Sequence, residues 1–324
     1  MGGLPAMLLA LLVSGPSAAA RLQDAADLVR TALTGPFAAF RGVQRAEAAT
    51  DSGLVRSQVR VQADGRGRVR REYVGGPANG TVLLQLPDAT YRRDGSGEWL
   101  QLPASRDMPA GERTRLLLAS YRVEAGPRAR LLGRPCVPLR ILPRHAGRPS
   151  RRIWLDPSTG VSLRDDLWAP DGRLLSSTAF TELTLGPQPE TTFAAPPEHA
   201  HPRVVGPGSY QPVASAREAE ERTGLPVPVP GRLPPGFRVV QHGVMEAGSG
   251  RLLPAVRLSD GLAAVSIFRR GRGPGLGRGS GRSALHLQPS PGTVVLAWES
   301  PTANYLLVGD LSANELLRVA RSLP

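Results

Sequence analysis

RLSDGLAAVSIFRR, residues 257–270, is the stretch on which the division of this chain turns. Asp260-Gly261 is a turn dipeptide, and Val265 and Ile267 alternate with small residues after it, so the stretch reads as a turn feeding a strand. By itself it names no chemistry. Its weight comes from its position, with a Pro-rich run before it that cuts it off from a much longer series of strand signals.

Working outward, the spacing predicts strands over 237–244, 253–258, 262–268, 284–287, 293–300 and 303–309. A helix is predicted from Ser312 to Leu323, where Leu316, Leu317, Val319, Ala320 and Leu323 make one apolar face. Ser312 with Glu315 three residues on is a capping box. The result is a small sheet closed by a terminal helix, a smaller α+β domain over 233–324. Before it, residues 190–232 are rich in proline and run into LPVPVPGRLPPG at 225–236, stiff and extended around its prolines; they read as a linker holding one short polar helix at 215–223.

Earlier still, Leu22, Ala25, Ala26, Val29 and Leu33 recur at helical spacing until Gly35-Pro36 stops them. Strand signals then follow one another over 37–48, 54–62, 66–74, 81–86, 89–93 and 98–102. A second helix at 112–120 precedes more strands at 129–142, 151–156, 161–168 and 173–185. Turns such as Ala63-Asp64-Gly65 and Pro170-Asp171-Gly172 separate them, so the region reads as one long antiparallel meander. The expected fold class is α+β: over 21–189, a large antiparallel half-barrel sheet covered by a few helices. Such a sheet can enclose a cavity, with Phe37, Phe40, Tyr91 and Trp99 as candidate lining residues; a fully packed core is the alternative.

The first twenty residues hold an apolar run from Met7 to Val13 and end in Ala18-Ala19-Ala20, which fits a signal peptide cleaved after Ala20. No later run of eighteen apolar residues follows, so an exported, soluble periplasmic protein is expected. The formal charge is +13 and all 40 basic side chains are Arg. A surface of this sign attracts nucleic acid, anionic lipid or an acidic protein, and export disfavours nucleic acid. The absence of Lys removes Schiff-base chemistry. Cys136 is the single cysteine, so no intrachain disulfide can form, and its apolar strand context reads as an inert buried thiol.

Catalytic and metal signatures are missing. His145, His199, His201, His242 and His286 lack metal-ligand spacing, and neither HExxH nor GxSxG occurs. Asp165 and Asp166 are neighbours on a strand and face opposite sides, so they do not pair as acid and base; they read as turn or edge residues. No catalytic residue, metal or cofactor is expected. One binding feature stands out. RRGRGPGLGRGSGR, residues 269–282, carries Arg269, Arg270, Arg272, Arg278 and Arg282 without an acid, suited to an acidic partner or a lipid phosphate.

The run LLGRPCVPLRILPRHAGRPSRRIWLDPSTGVSLRDDLWAPDGRLLSSTAFTEL, residues 131–183, resembles the N-terminal domain of the MucB/RseB family, periplasmic regulators of the envelope-stress sigma factor. LPPGF at 233–237, LSDGLAAVSIF at 258–268 and YLLVGDLSANELLRVARSL at 305–323 extend the resemblance into the second domain. Its N-terminal part is also similar to lipoprotein carriers. The resemblance implies a non-enzymatic protein that binds the extracytoplasmic segment of a membrane-spanning anti-sigma factor and limits its proteolysis. It also implies release in response to lipoprotein or lipid acyl chains. Homo-oligomerisation stays open, and an exported lipid or lipoprotein carrier is the alternative, since a carrier needs a cavity but no second domain.

Overall fold

A computed structural model describes residues 18–35, 37–95, 97–102, 108–196, 210–247, 250–270, 286–290, 293–300 and 302–324. The first helix, α1 (Ala18–Thr34), precedes strands β1 (Phe40–Thr50), β2 (Gly53–Ala63), β3 (Val69–Gly75), β4 (Val82–Gln85), β5 (Thr90–Arg93) and β6 (Trp99–Leu102). Helix α2 (Ala110–Ser120) leads into β7 (Tyr121–Ala125), β8 (Ala129–Leu131), β9 (Arg134–Pro143), β10 (Ser150–Leu155), β11 (Ser162–Trp168) and β12 (Leu174–Leu185). All the pairings are antiparallel, in the order β6-β5-β4-β3-β2-β1-β12-β11-β10-β9-β7, with β8 paired to β9. A large open antiparallel sheet flanked by helices is therefore present. It is two meanders rather than one, because β1 and β12, far apart in sequence, pair along their length at its centre.

Two clusters of buried side chains hold this sheet. Ala25 and Val29, one turn apart on α1, pack with Leu117 of α2 onto Leu139, Ile141, Ile153 and Leu155. Spacing of four residues puts one apolar stripe on the sheet, which is why α1 lies where it does. The second cluster centres on Phe40, Val59, Val61 and Phe180, with the Phe40 and Phe180 rings edge to face at 5.4 Å. At the sheet end near Asp156, burial pushes its carboxyl up, but hydrogen bonds from Ser158 and Arg134 outweigh it and hold the group below its ordinary 3.8. Its contribution to stability is thus complete above pH 3.8 and lost as the pH falls through the lower folded value. Asp156→Asn is expected to flatten the acid limb of a stability-against-pH curve measured by urea denaturation; an unchanged slope contradicts that assignment.

The second sheet contains β13 (Tyr210–Val213), β14 (Arg238–Glu246), β15 (Leu252–Ser259), β16 (Ala264–Arg270), β17 (His286–Ser290), β18 (Thr293–Glu299) and β19 (Asn304–Gly309), in the order β13-β14-β15-β16-β19-β18-β17. Helix α3 (Ala216–Thr223) packs on β14 and β15, and α4 (Ala313–Ala320) packs on β18 and β19. Both helices start on the serine that the sequence offers: Ser215 Oγ accepts from Glu218 N at 3.1 Å and Ser312 Oγ from Glu315 N at 3.4 Å.

Part of the expected linker is built into this sheet. β13 pairs with β14, and Val213, Ala219 and Val227 are buried in the second core. Proline content signals extended backbone without an interior hydrogen-bond ladder, and an edge strand meets both conditions; Pro212 sits on that edge. Residues Glu190–Phe193 form a short 3-10 turn tied back to the first sheet by a two-pronged Arg68–Glu190 ion pair at 2.6 and 2.9 Å.

Candidate functional site

The turn between β15 and β16 is where the two sheets meet. Ser259 Oγ accepts from Gly261 N at 3.0 Å and donates to Ala263 O at 2.8 Å. Asp260 Oδ1 accepts from the backbone N–H groups of Leu262 at 3.1 Å and Ala263 at 2.8 Å. These are the local bonds that make Ser and Asp good turn residues. The other carboxylate oxygen looks out of the turn into the first sheet. Arg148 Nη1 donates to Oδ2 at 2.8 Å and Tyr121 Oη donates at 3.2 Å.

This cluster is sealed from water: the Arg148 side chain is 2 % exposed and that of Asp260 is 0 %. Arg148 also donates from Nη2 to the carbonyl of Pro235 and lies over the Phe237 ring at 5.0 Å, so it holds the strand-entry segment of the second sheet as well. Burial pushes the Asp260 carboxyl above its ordinary value, against the backbone N–H groups, Arg148 and Tyr121, which favour its charge. Burial, and then the Asp260 charge, push the Tyr121 phenol upward, so it stays a donor. Two N–H groups, a guanidinium and a phenol engage the Asp260 carboxylate. With its acceptors so used, the group fastens two sheets and is not placed as a general base.

Glycine makes the close approach possible. Gly261 has φ +97°, and a Cβ there would overlap the backbone of α2 at Leu117 N and Arg113 O. A second contact lies at Gly147, whose carbonyl accepts from Ser312 N at 2.9 Å, at the start of α4. Beside the turn a cleft of about 200 Å³ opens between the sheets, lined by Leu33, Met108, Arg113, Arg151, Arg257 and Leu262 among others.

Of the residues singled out from sequence, Arg269 and Arg270 end β16, opposite Tyr305 and Asn304. Arg272, Arg278 and Arg282 lie outside the described residues, as do His199 and His201. Phe37 and Phe40 come together at 6.3 Å between ring centroids. Tyr91 and Trp99 are placed elsewhere: the cross-strand register puts them on the sheet face opposite Val59, Val61 and Ala63. Cys136 is fully buried, and burial pushes its thiol up. Among the described residues no cluster of three or more His, Cys, Asp or Glu side chains could hold a metal.

Asp165 and Asp166 correct an expectation. They lie in β11, an interior strand, not in a turn or at an edge. Asp165 Oδ1 accepts from Arg151 Nε at 2.8 Å, and Asp166 accepts from Ser177 Oγ at 2.6 Å and Arg164 Nε at 3.0 Å. Interior carboxylates survive there because β10 supplies Arg151 and β12 supplies Ser177, which one strand's sequence does not show, while Arg164 of β11 itself adds a further donor to Asp166. Arg148 and Tyr121 were missed for the same reason. Their partner lies 112 and 139 residues away, and the only local signal was the Asp-Gly turn.

Residues 90–202 match the model for the MucB/RseB N-terminal domain. Among solved structures, the MucA/MucB complex of Pseudomonas aeruginosa is similar at 22% identity and a TM-score of 0.60, over 93% of this chain and 98% of that one. A crystal structure of MucB in complex with MucA(peri) is similar at 20% identity and a TM-score of 0.59, over the same shares. MucB crystallised alone is similar at 22% identity and a TM-score of 0.50, again over 93% of this chain and 98% of that chain. No match was found among curated proteins.

Proposed function

We propose that this chain is a member of the MucB/RseB family, whose N-terminal domain its residues 90–202 match, and that it is a non-enzymatic envelope-stress regulator of the periplasm. It binds the extracytoplasmic part of a membrane-spanning anti-sigma factor, limits that factor's proteolysis, and responds to lipid or lipoprotein acyl chains. The observation that carries this reading is the likeness over 93% of the chain, both sheets included, to MucB in its complex with MucA. Among the described residues no helix is long and apolar enough to cross a membrane.

The fastened seam supports a two-part regulator. A ligand in the first sheet can alter a partner's affinity only by favouring one arrangement of the two sheets over another, and the Arg148–Asp260 contact is where such arrangements would differ. An exported lipid carrier is the second reading, favoured by the large open sheet but leaving the second sheet without a task.

The test mixes the purified chain with the extracytoplasmic peptide of a neighbouring single-pass membrane protein that carries a cytoplasmic sigma-binding segment. Binding at about micromolar affinity or tighter, with slower cleavage of the peptide by its protease, is the expected result. No binding and no protection together refute the regulator. Retention of acyl lipid alone, seen by native mass spectrometry, leaves the carrier.

A further inference from the structure

The hairpin of β8 and β9 closes on the pair Leu131 and Arg134, which leaves Leu132 and Gly133 as a two-residue turn. Both have positive φ, at 52° and 72°. A turn with that conformation at both central positions suits Asn-Gly or Gly-Gly, because an ordinary side chain crowds the backbone there. Leu132 is the one non-glycine residue with positive φ among the described residues. It is also 44 % exposed, and a Cβ built on Gly133 meets nothing within 4 Å, so the tip stands clear of the rest of the fold. Backbone conformation and exposure both disfavour leucine here, and nothing within the fold rewards it.

The tip is firmly mounted. Cys136 at the base of the hairpin is fully buried, and Ala129 and Leu131 pack on the cluster around Phe40 and Val61. Arg134 is tied to the buried Asp156 at 2.7 Å, and Arg130 Nη1 donates to the Gly133 carbonyl at 2.9 Å, bracing the turn. Arg128 and Arg130 are exposed beside it. From Gly126 to Pro135 the sequence offers no acidic residue to answer them.

We propose that this tip is a docking point for the surface of a bilayer with anionic headgroups, where Leu132 enters the boundary between headgroups and acyl chains and the Arg128 and Arg130 guanidinium groups meet phosphates. A lone protruding leucine is buried there without a shaped pocket, and cations set back along the strand fall at the depth of the headgroups. An acidic protein would engage the arginines as well, but it would have to supply a pocket for the leucine. One leucine and two arginines give weak, reversible attachment, which suits a chain whose proposed partner is itself held in a membrane. This contact goes beyond the acyl-chain response proposed above: it touches a bilayer from outside and takes no lipid into the first sheet.

Cosedimentation of the full chain with intact vesicles tests the docking point, comparing phosphatidylcholine alone with an equal mixture of phosphatidylcholine and phosphatidylglycerol. Binding to the mixture at least about fivefold tighter than to phosphatidylcholine, and weakened by salt, is expected. L132N should lower that affinity at least about threefold while melting no lower than the unmodified chain, since Asn tolerates the turn's backbone better than Leu. R128Q/R130Q should lower it about tenfold. Equal binding to the two vesicles, an undiminished affinity in either variant, or a lower melting temperature for L132N overturns the docking point. Lipid taken up elsewhere in the first sheet is untouched by both variants, so their loss of binding separates the tip from the acyl-chain response. Binding of poly-glutamate that both variants abolish, with vesicle binding unchanged, makes the tip a site for an acidic protein and overturns the bilayer.

Discussion

Arg148→Met is expected to destabilise the chain by about 3–5 kcal/mol, the usual result of removing one partner of a buried ion pair. The variant strands the Asp260 carboxylate in a water-free seam with only Tyr121 and two backbone N–H groups. It also removes the donor to Pro235 and the cation over Phe237. Arg148→Met combined with Asp260→Asn should recover about half of the loss, because the amide oxygen keeps the turn's N–H acceptor without a buried charge. Calorimetry adds a second readout. Two sheets fastened by this contact should melt together, and with the contact broken the transition should split in two. A loss below about 1 kcal/mol, the range of an exposed pair, would mean that water reaches the seam.

Gly261→Ala is the second large effect, expected at about 3–5 kcal/mol from backbone strain and overpacking together. The residue sits at φ +97° and its new Cβ would meet the backbone of α2 rather than a side chain that can turn away. Gly172→Ala is the control. Gly172 has φ +84° with nothing within 4 Å of an added Cβ, so only the left-handed backbone cost of about 1–2 kcal/mol applies. Chemical denaturation of the two variants isolates the collision with α2, and equal losses would show that the seam yields.

Much of the architecture was legible in the sequence because it rests on local periodicity. Ala25 and Val29 announce α1, Ser312 with Glu315 announces α4, and the Asp-Gly turns at 64–65, 171–172 and 260–261 separate strands that the structure pairs. The misreadings share one cause. Pairing of β1 with β12, recruitment of Tyr210–Val213 as an edge strand, and the bonds of Asp165 to Arg151 and of Asp166 to Ser177 all depend on another strand of the sheet. Opposed cavity aromatics follow the same rule. Register through four strands sends Tyr91 and Trp99 to one face while Phe40 packs against Phe180 on the cluster that holds Val59 and Val61.

RLSDGLAAVSIFRR shows where the division falls. Its sequence by itself determined a turn and a strand, since Ser259, Asp260 and Gly261 need only their own backbone to close the turn. Tertiary structure alone decided that the second oxygen of Asp260 would meet Arg148 and Tyr121, and that Gly261 would lie against α2. The physical reason is range. Turn chemistry acts over three or four residues, whereas the buried charge of Asp260 is sustained by Arg148 and Tyr121, which only the folded chain brings to it from the other sheet.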